Sequence, residues 1–163
     1  MPFSSPLPTI VSVYNNAVPV SVVNSFTAET VILSPYIVPA GYLGINDSLA
    51  VTATFTVVIG GVGTPFIKVR IGGLIGAVML TATPLSTATL WGTAIFQNKG
   101  VPNANVSNSL TITSTGTIIG PTQFTSSLDT TLSQAIVATA KFSGTDGLTT
   151  ITLSTLNIRV IRS

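Results

Sequence analysis

The stretch "SLAVTATFTVV", Ser48 to Val58, constrains the fold more than any other part of the chain. Leu49, Val51, Ala53, Phe55 and Val57 alternate with Thr52, Thr54 and Thr56. Successive side chains of a strand point to opposite faces, so these residues form a strand with one apolar face and one hydroxyl face. The preference is chain-wide. Thr, Val and Ile supply 60 of the 163 residues, and β-branched side chains favour a pleated backbone. Helix formers are scarce, with Glu29 the only Glu and three Lys in all. "DTTLSQAIVATAKF", Asp129 to Phe142, comes closest to helical spacing through Leu132, Ile136 and Ala140. Ile136, Ala138 and Ala140 also alternate, however, and the context makes this a strand.

Alternation and turn residues place the other strands. They are expected at Ile10–Tyr14, Val18–Phe26, Thr30–Val38 (broken by Pro35), Phe66–Ile71, Leu74–Thr81, Thr89–Gly100, Ser109–Ile119, Ala135–Phe142 and Thr149–Ile161. "SGTDGL" is a hairpin signal before the last of these. With no helices to cover a sheet, the apolar faces must bury one sheet against another. The expected fold is all-β: an antiparallel jelly-roll β-sandwich of about eight to ten strands in a single domain. It spans residues 10–163, and residues 1–9 form an extended N-terminal arm. Pro2, Pro6 and Pro8 keep the arm out of helix and sheet interiors, and Phe3 and Leu7 offer apolar anchors for a neighbouring chain.

Charge is almost absent. Six basic and four acidic residues make up 6% of the chain and leave a net charge of +2, against roughly 25% charged residues in an average soluble domain. Nucleic acid is not an expected partner, because its footprint needs clustered Lys and Arg. Mean hydropathy is +0.66, yet the longest apolar run, Ile71 to Ala82, is far shorter than the roughly 20 residues of a spanning helix. "MPFSSPLPTI" lacks the basic start of a signal peptide, so synthesis in a cytoplasm is expected. A membrane β-barrel would fit the Thr/Val alternation but not the low aromatic content, since such barrels carry aromatic girdles. No membrane partner is expected. A surface so poor in charge would be colloidally weak on a lone monomer, which implies cover by partner chains.

Little in the sequence supports catalysis. Cys and His are both absent, which removes thiolate chemistry, the usual proton shuttle and the commonest metal ligand. Asp47 in "GINDSL" and Asp146 in "GTDGL" occupy turn positions, where Asp bonds its own backbone. Glu29 and Asp129 show no spacing that pairs carboxylates for hydrolysis. "IGGVGTP" is a Gly-rich loop without the Gly-Lys-Ser/Thr and helix of a phosphate-binding loop. No enzyme activity, cofactor or metal is expected. Trp91, the only Trp, reads first as a core or edge aromatic, and second as a platform on which a sugar face could stack. Lys68 and Arg70 in "GTPFIKVRIGG" share the outward face of a strand that buries Ile67, Val69 and Ile71. Such a pair is either solvated or meets a neighbouring chain's carboxylates, and in so uncharged a chain the second reading makes them interface residues. Arg159 and Arg162 invite the same two readings.

Three stretches in order complete the sequence reading: "IVPAGYLGINDSLAVTATFTV", "TPFIKVRIGG" and "ATLWGTAIFQNKG". Together they resemble the small jelly-roll structural proteins of tailed bacteriophages, over Ile37 to Gly100, with "LNIRVI" similar in style. The resemblance implies a tumour-necrosis-factor-like jelly roll, usually trimeric, that serves as a capsid decoration (cement) protein or as a fibre knob. The short chain and its Pro-rich arm favour cement. The expected partners are then two further copies of the chain and the major capsid protein or another virion protein, at the capsid surface. The alternative is a tail- or head-fibre knob that binds a host surface glycan.

Overall fold

A computed structural model describes residues 8–99, 105–113, 122–126 and 128–163. All of its regular structure is strand: β1 (Thr9–Asn16), β2 (Val20–Val23), β3 (Thr30–Val31), β4 (Tyr36–Val38), β5 (Ser48–Val58), β6 (Pro65–Ile71), β7 (Ala77–Ala82), β8 (Ala88–Gln97), β9 (Asn105–Thr113), β10 (Thr122–Ser126), β11 (Gln134–Phe142) and β12 (Thr150–Arg162). Each expected strand has a counterpart here, except that residues 114–119 of the expected Ser109–Ile119 strand lie outside the described residues. The expected Thr30–Val38 strand is two short pieces, β3 and β4, on either side of Pro35, and β10 is additional. The segment with the ambiguous period is strand β11. The proposed arm lies outside the described residues up to Leu7, so Phe3 and Leu7 do too, while Thr9 already belongs to β1.

The strands form an antiparallel jelly-roll sandwich of two sheets. One runs β1-β12-β5-β8-β9-β10, with β2 also on β12, and the other runs β3-β11-β6-β7, with β4 on β11. Alternation decides what lies between them. Leu49, Val51, Ala53, Phe55 and Val57 of β5 pack in one buried cluster with Ile67, Val69 and Ile71 of β6. Leu90, Ala94 and Phe96 of β8, Ile136, Ala138 and Phe142 of β11, and Ile151, Leu153, Ile158 and Val160 of β12 complete it. In β12 the register against β5 shifts between Leu153 and Thr155. The extra residue lets both Leu153 and Leu156 face the core, which a strict two-residue period forbids.

One end of the sandwich is closed by two loops in direct contact. Asp146 accepts from the Val62 amide (2.6 Å) and from the Leu148 amide (2.9 Å). A Cβ at Gly61 would land on the Asp146 carboxylate, so the Gly-rich loop owes this residue to close approach. The Leu148 bond is the expected turn role of Asp146, and the Val62 bond adds a tie between loops.

Candidate interaction surface

The outward face of β6 carries Lys68 and Arg70, as the alternation requires, and both find a partner in the same chain. The segment between β2 and β3 is anchored at the margin of the core by Phe26, which meets the inward-facing Phe142 edge-on at 5.2 Å between ring centroids. It places Glu29 over the two cations. Arg70 grips the carboxylate with two donors, Nε to Oε1 at 2.7 Å and Nη2 to Oε2 at 3.0 Å, while Nη1 donates to the Gly76 carbonyl at 2.8 Å. Lys68 Nζ reaches Oε2 at 3.3 Å, and the buried Thr139 hydroxyl donates to Oε1 at 2.6 Å. The Arg70 bonds dominate over the cost of burial and, with those from Thr139 and Lys68, lower the Glu29 pKa from 4.5 to about 2. Where the sequence suggested a neighbouring chain's carboxylate, the structure places the chain's own Glu29, 39 residues before Lys68 and 41 before Arg70. Both cations stay partly reachable from solvent.

A second ion pair lies at the opposite end of the chain's sequence span. Arg162 Nη1 donates to Asp47 Oδ2 at 2.5 Å and to the Tyr42 carbonyl at 2.7 Å, and its guanidinium covers the Tyr42 ring at 4.7 Å. The Ser163 amide also donates to Asp47, at 3.2 Å. Burial pushes the Asp47 carboxyl up, but Arg162 and the amides of Gly44 and Ser163 outweigh it and hold the pKa below its ordinary value. Asp47 does bond its own turn through the Gly44 amide, as expected, and it also clamps the last strand to the loop before β5. Arg159, by contrast, is exposed on the outer face of the seven-stranded sheet.

That outer face is the largest difference from expectation. Trp91 is 44% exposed on β8, between β5 and β9, so it is neither a core residue nor at a sheet edge. The expectation of a core or edge aromatic is corrected. Inward positions of β8 belong to Leu90, Ala94 and Phe96, and Trp91 has the opposite parity with Thr89, Thr93 and Ile95. It stands opposite Thr54 of β5. Around it lies a hydroxyl ladder, with Thr52 and Thr93 bonded at 3.1 Å and Ser21 and Thr152 at 2.8 Å. Among the described residues, Arg159 is the one charged side chain on this face.

No group of three or more acidic, His or Cys side chains lies together among the described residues. A hollow of about 150 Å³ opens between the Gly-rich loop at Gly61–Thr64 and Pro84–Leu85. Its lining includes no acid, base or aromatic ring.

No family model and no curated protein matches the chain. Solved structures do. A seed lectin of Lotus tetragonolobus aligns over 98% of this chain and 96% of its own, with a TM-score of 0.53 and 9% identity. The likeness is one of fold alone. The CBM2 module of the evolved Dit of Lactobacillus casei phage J-1 gives 0.47 and 10% identity, covering 96% of this chain and 98% of that one. A structure of infectious bursal disease virus, Gt strain, gives 0.34 and 14% identity, with 95% of this chain aligned to 33% of that one.

Proposed function

We propose that the chain is a non-enzymatic virion structural protein, a decoration (cement) protein that binds a tailed-phage head as a homotrimer. The observation that carries this reading is the broad outer face of the seven-stranded sheet, uncharged among the described residues apart from Arg159 and bearing Trp91 and Ile95. Exposed apolar surface rimmed by polar groups marks a contact with another protein, and Trp and Arg are the usual anchors of such contacts. The order of motifs that resembles phage jelly-roll proteins supplies the partner, a capsid protein. In this reading Phe3 and Leu7 of the arm seat on a neighbouring subunit, and Lys68 and Arg70, with Glu29 as resident counter-ion, lie at a contact between chains.

The test is addition of purified protein to phage heads that lack it, followed by sedimentation. Many bound copies per head and a higher disassembly temperature support the reading. Saturation at a handful of copies points to the tail, and no binding sinks it. Deleting residues 1–7 should weaken binding and leave the melting point of the sandwich in place. Native mass spectrometry of dilute protein reads the trimer directly.

A second reading follows from one observation, the exposed indole of Trp91 among Thr hydroxyls: a knob that stacks a host glycan. Glycan-array binding lost in Trp91→Ala, with no affinity for heads, would favour it over cement.

A further inference from the structure

One edge of the seven-stranded sheet has no charged guard among the described residues. β1 and β2 lie end to end along one side of β12, β1 pairing with 156–162 and β2 with 150–153. Among the described residues, no strand pairs with their far side. Monomeric proteins blunt such edges with Lys, Pro or bulges, because open N–H and C=O groups recruit another chain. Here no charged residue occurs before Glu29, and between Thr9 and Val23 there is one proline, Pro19. A register shift between Ser12 and Tyr14 divides β1 into two regularly paired stretches, Thr9–Ser12 and Tyr14–Asn16, of which the first is the longer.

The side chains at this edge are as open as the backbone. Val11 sits opposite Val160, which is fully buried, so Val11 points to the core side of the sheet. It is nonetheless 37% exposed. Ile10, on the outer side, is 62% exposed.

We infer that a second copy of the chain pairs β1 antiparallel with its own β1 across a two-fold axis near Thr9–Ser12, joining two seven-stranded sheets into one. A second copy fits for two reasons. The strand is uncharged, so identical strands meet no like-charge repulsion, and Val11 of one copy covers Val11 of the other. The nearest cations, Arg159 opposite Ser12 and Arg162 opposite Thr9, are one strand inside on β12, and Arg162 is paired with Asp47. The two copies' β12 strands would then be three strand spacings apart, ~14 Å, beyond the ~10 Å screening length at moderate salt. The contact is additional to any three-fold one and independent of what the assembled protein binds.

The chain has no Cys, so a single Cys reports without background. Thr9→Cys, Ile10→Cys, Val11→Cys and Ser12→Cys are each made in the full chain, oxidised and run without reductant, with the exposed loop variant Ile75→Cys as control. A disulfide needs Cα atoms roughly 4.4–6.8 Å apart. Covalent dimer should therefore peak at one or two adjacent β1 positions, about tenfold above the control and more than at the other β1 positions. Ile10→Lys should raise the dissociation constant of the pair severalfold through like charges at diagonal positions across the axis, an effect that salt reverses. Cross-linking along β1 no better than at Ile75, or a protein that stays monomeric at micromolar concentration, overturns the inference. That result would also follow if another part of the same chain occupies the edge. Head binding measured on the same variants separates this failure from failure of the cement reading.

Discussion

The two outer faces of the sandwich use opposite means to live with water. On the five-stranded sheet, Glu29, Lys68, Arg70 and Thr139 form one ionic cluster within the chain. On the seven-stranded sheet, Thr hydroxyls bond one another, Arg159 stands exposed and Trp91 projects outward. The first face spends its charges on the fold, since Glu29 ties the chain just before β3 to Thr139 of β11 and to Lys68 and Arg70 of β6. The second holds its strands by the backbone ladder and the core behind it, which leaves its outward residues free for a partner. Substitutions should therefore weigh most on stability on the first face, whatever contact Lys68 and Arg70 also make between chains, and most on binding on the second.

The largest expected effect is on the ionic face. Glu29→Ala strands a largely buried guanidinium and removes the tie between the chain before β3 and β6. From the fall of its pKa to about 2, the loss should be about 3 kcal/mol at neutral pH, with a melting point lower by roughly 6–12 °C. A shift no larger than that of an ordinary surface substitution would erase the contrast between the faces.

Acid gives the same contribution without mutation. The folded pKa of Glu29 lies below the ordinary 4.5, so its stabilisation is complete above that value and is lost as pH falls toward about 2. Asp47 is depressed in the same direction and adds to the slope. Stability of the wild type should fall steeply as pH drops between those limits, and Glu29→Gln should flatten the curve. Equal slopes in both would assign acid lability to other carboxylates.

Lys68→Ala should cost far less, about 0–1 kcal/mol, because its single contact is at 3.3 Å and partly exposed. If it matches Glu29→Ala, Lys68 and not the bidentate Arg70 carries the cluster. Smallest for the fold is Trp91→Ala on the other face, within about 0.5 kcal/mol as for exposed positions generally. Its binding effect should be large, at least tenfold on the affinity for heads, as for a central aromatic anchor. Trp91 is the single Trp, so its fluorescence should shift to the blue as a partner covers it. An unchanged spectrum on saturated heads would remove this face from the contact.

Much of this was legible in residue order, and the misses have a common cause. The inward sets of β5, β6 and β11 follow from alternation alone. So does the outward direction of Lys68 and Arg70. Trp91 was legible too: it shares its parity with Thr89 and Thr93, and that signal outranks the usual tendency of Trp to be buried. Strand boundaries drifted where a bulge or proline overrode the pattern, as in β12 and at Pro35.

The sequence by itself determined the strands, their faces and the absence of His and Cys chemistry, because side-chain parity and composition are local properties of the chain. Tertiary structure alone decided that Glu29 answers Arg70, that Asp47 answers Arg162, and that the β1 edge stands open. Those pairings span 41 and 115 residues. They depend on which strands become neighbours, and strand order is set by how two sheets close over one core, which no local pattern encodes.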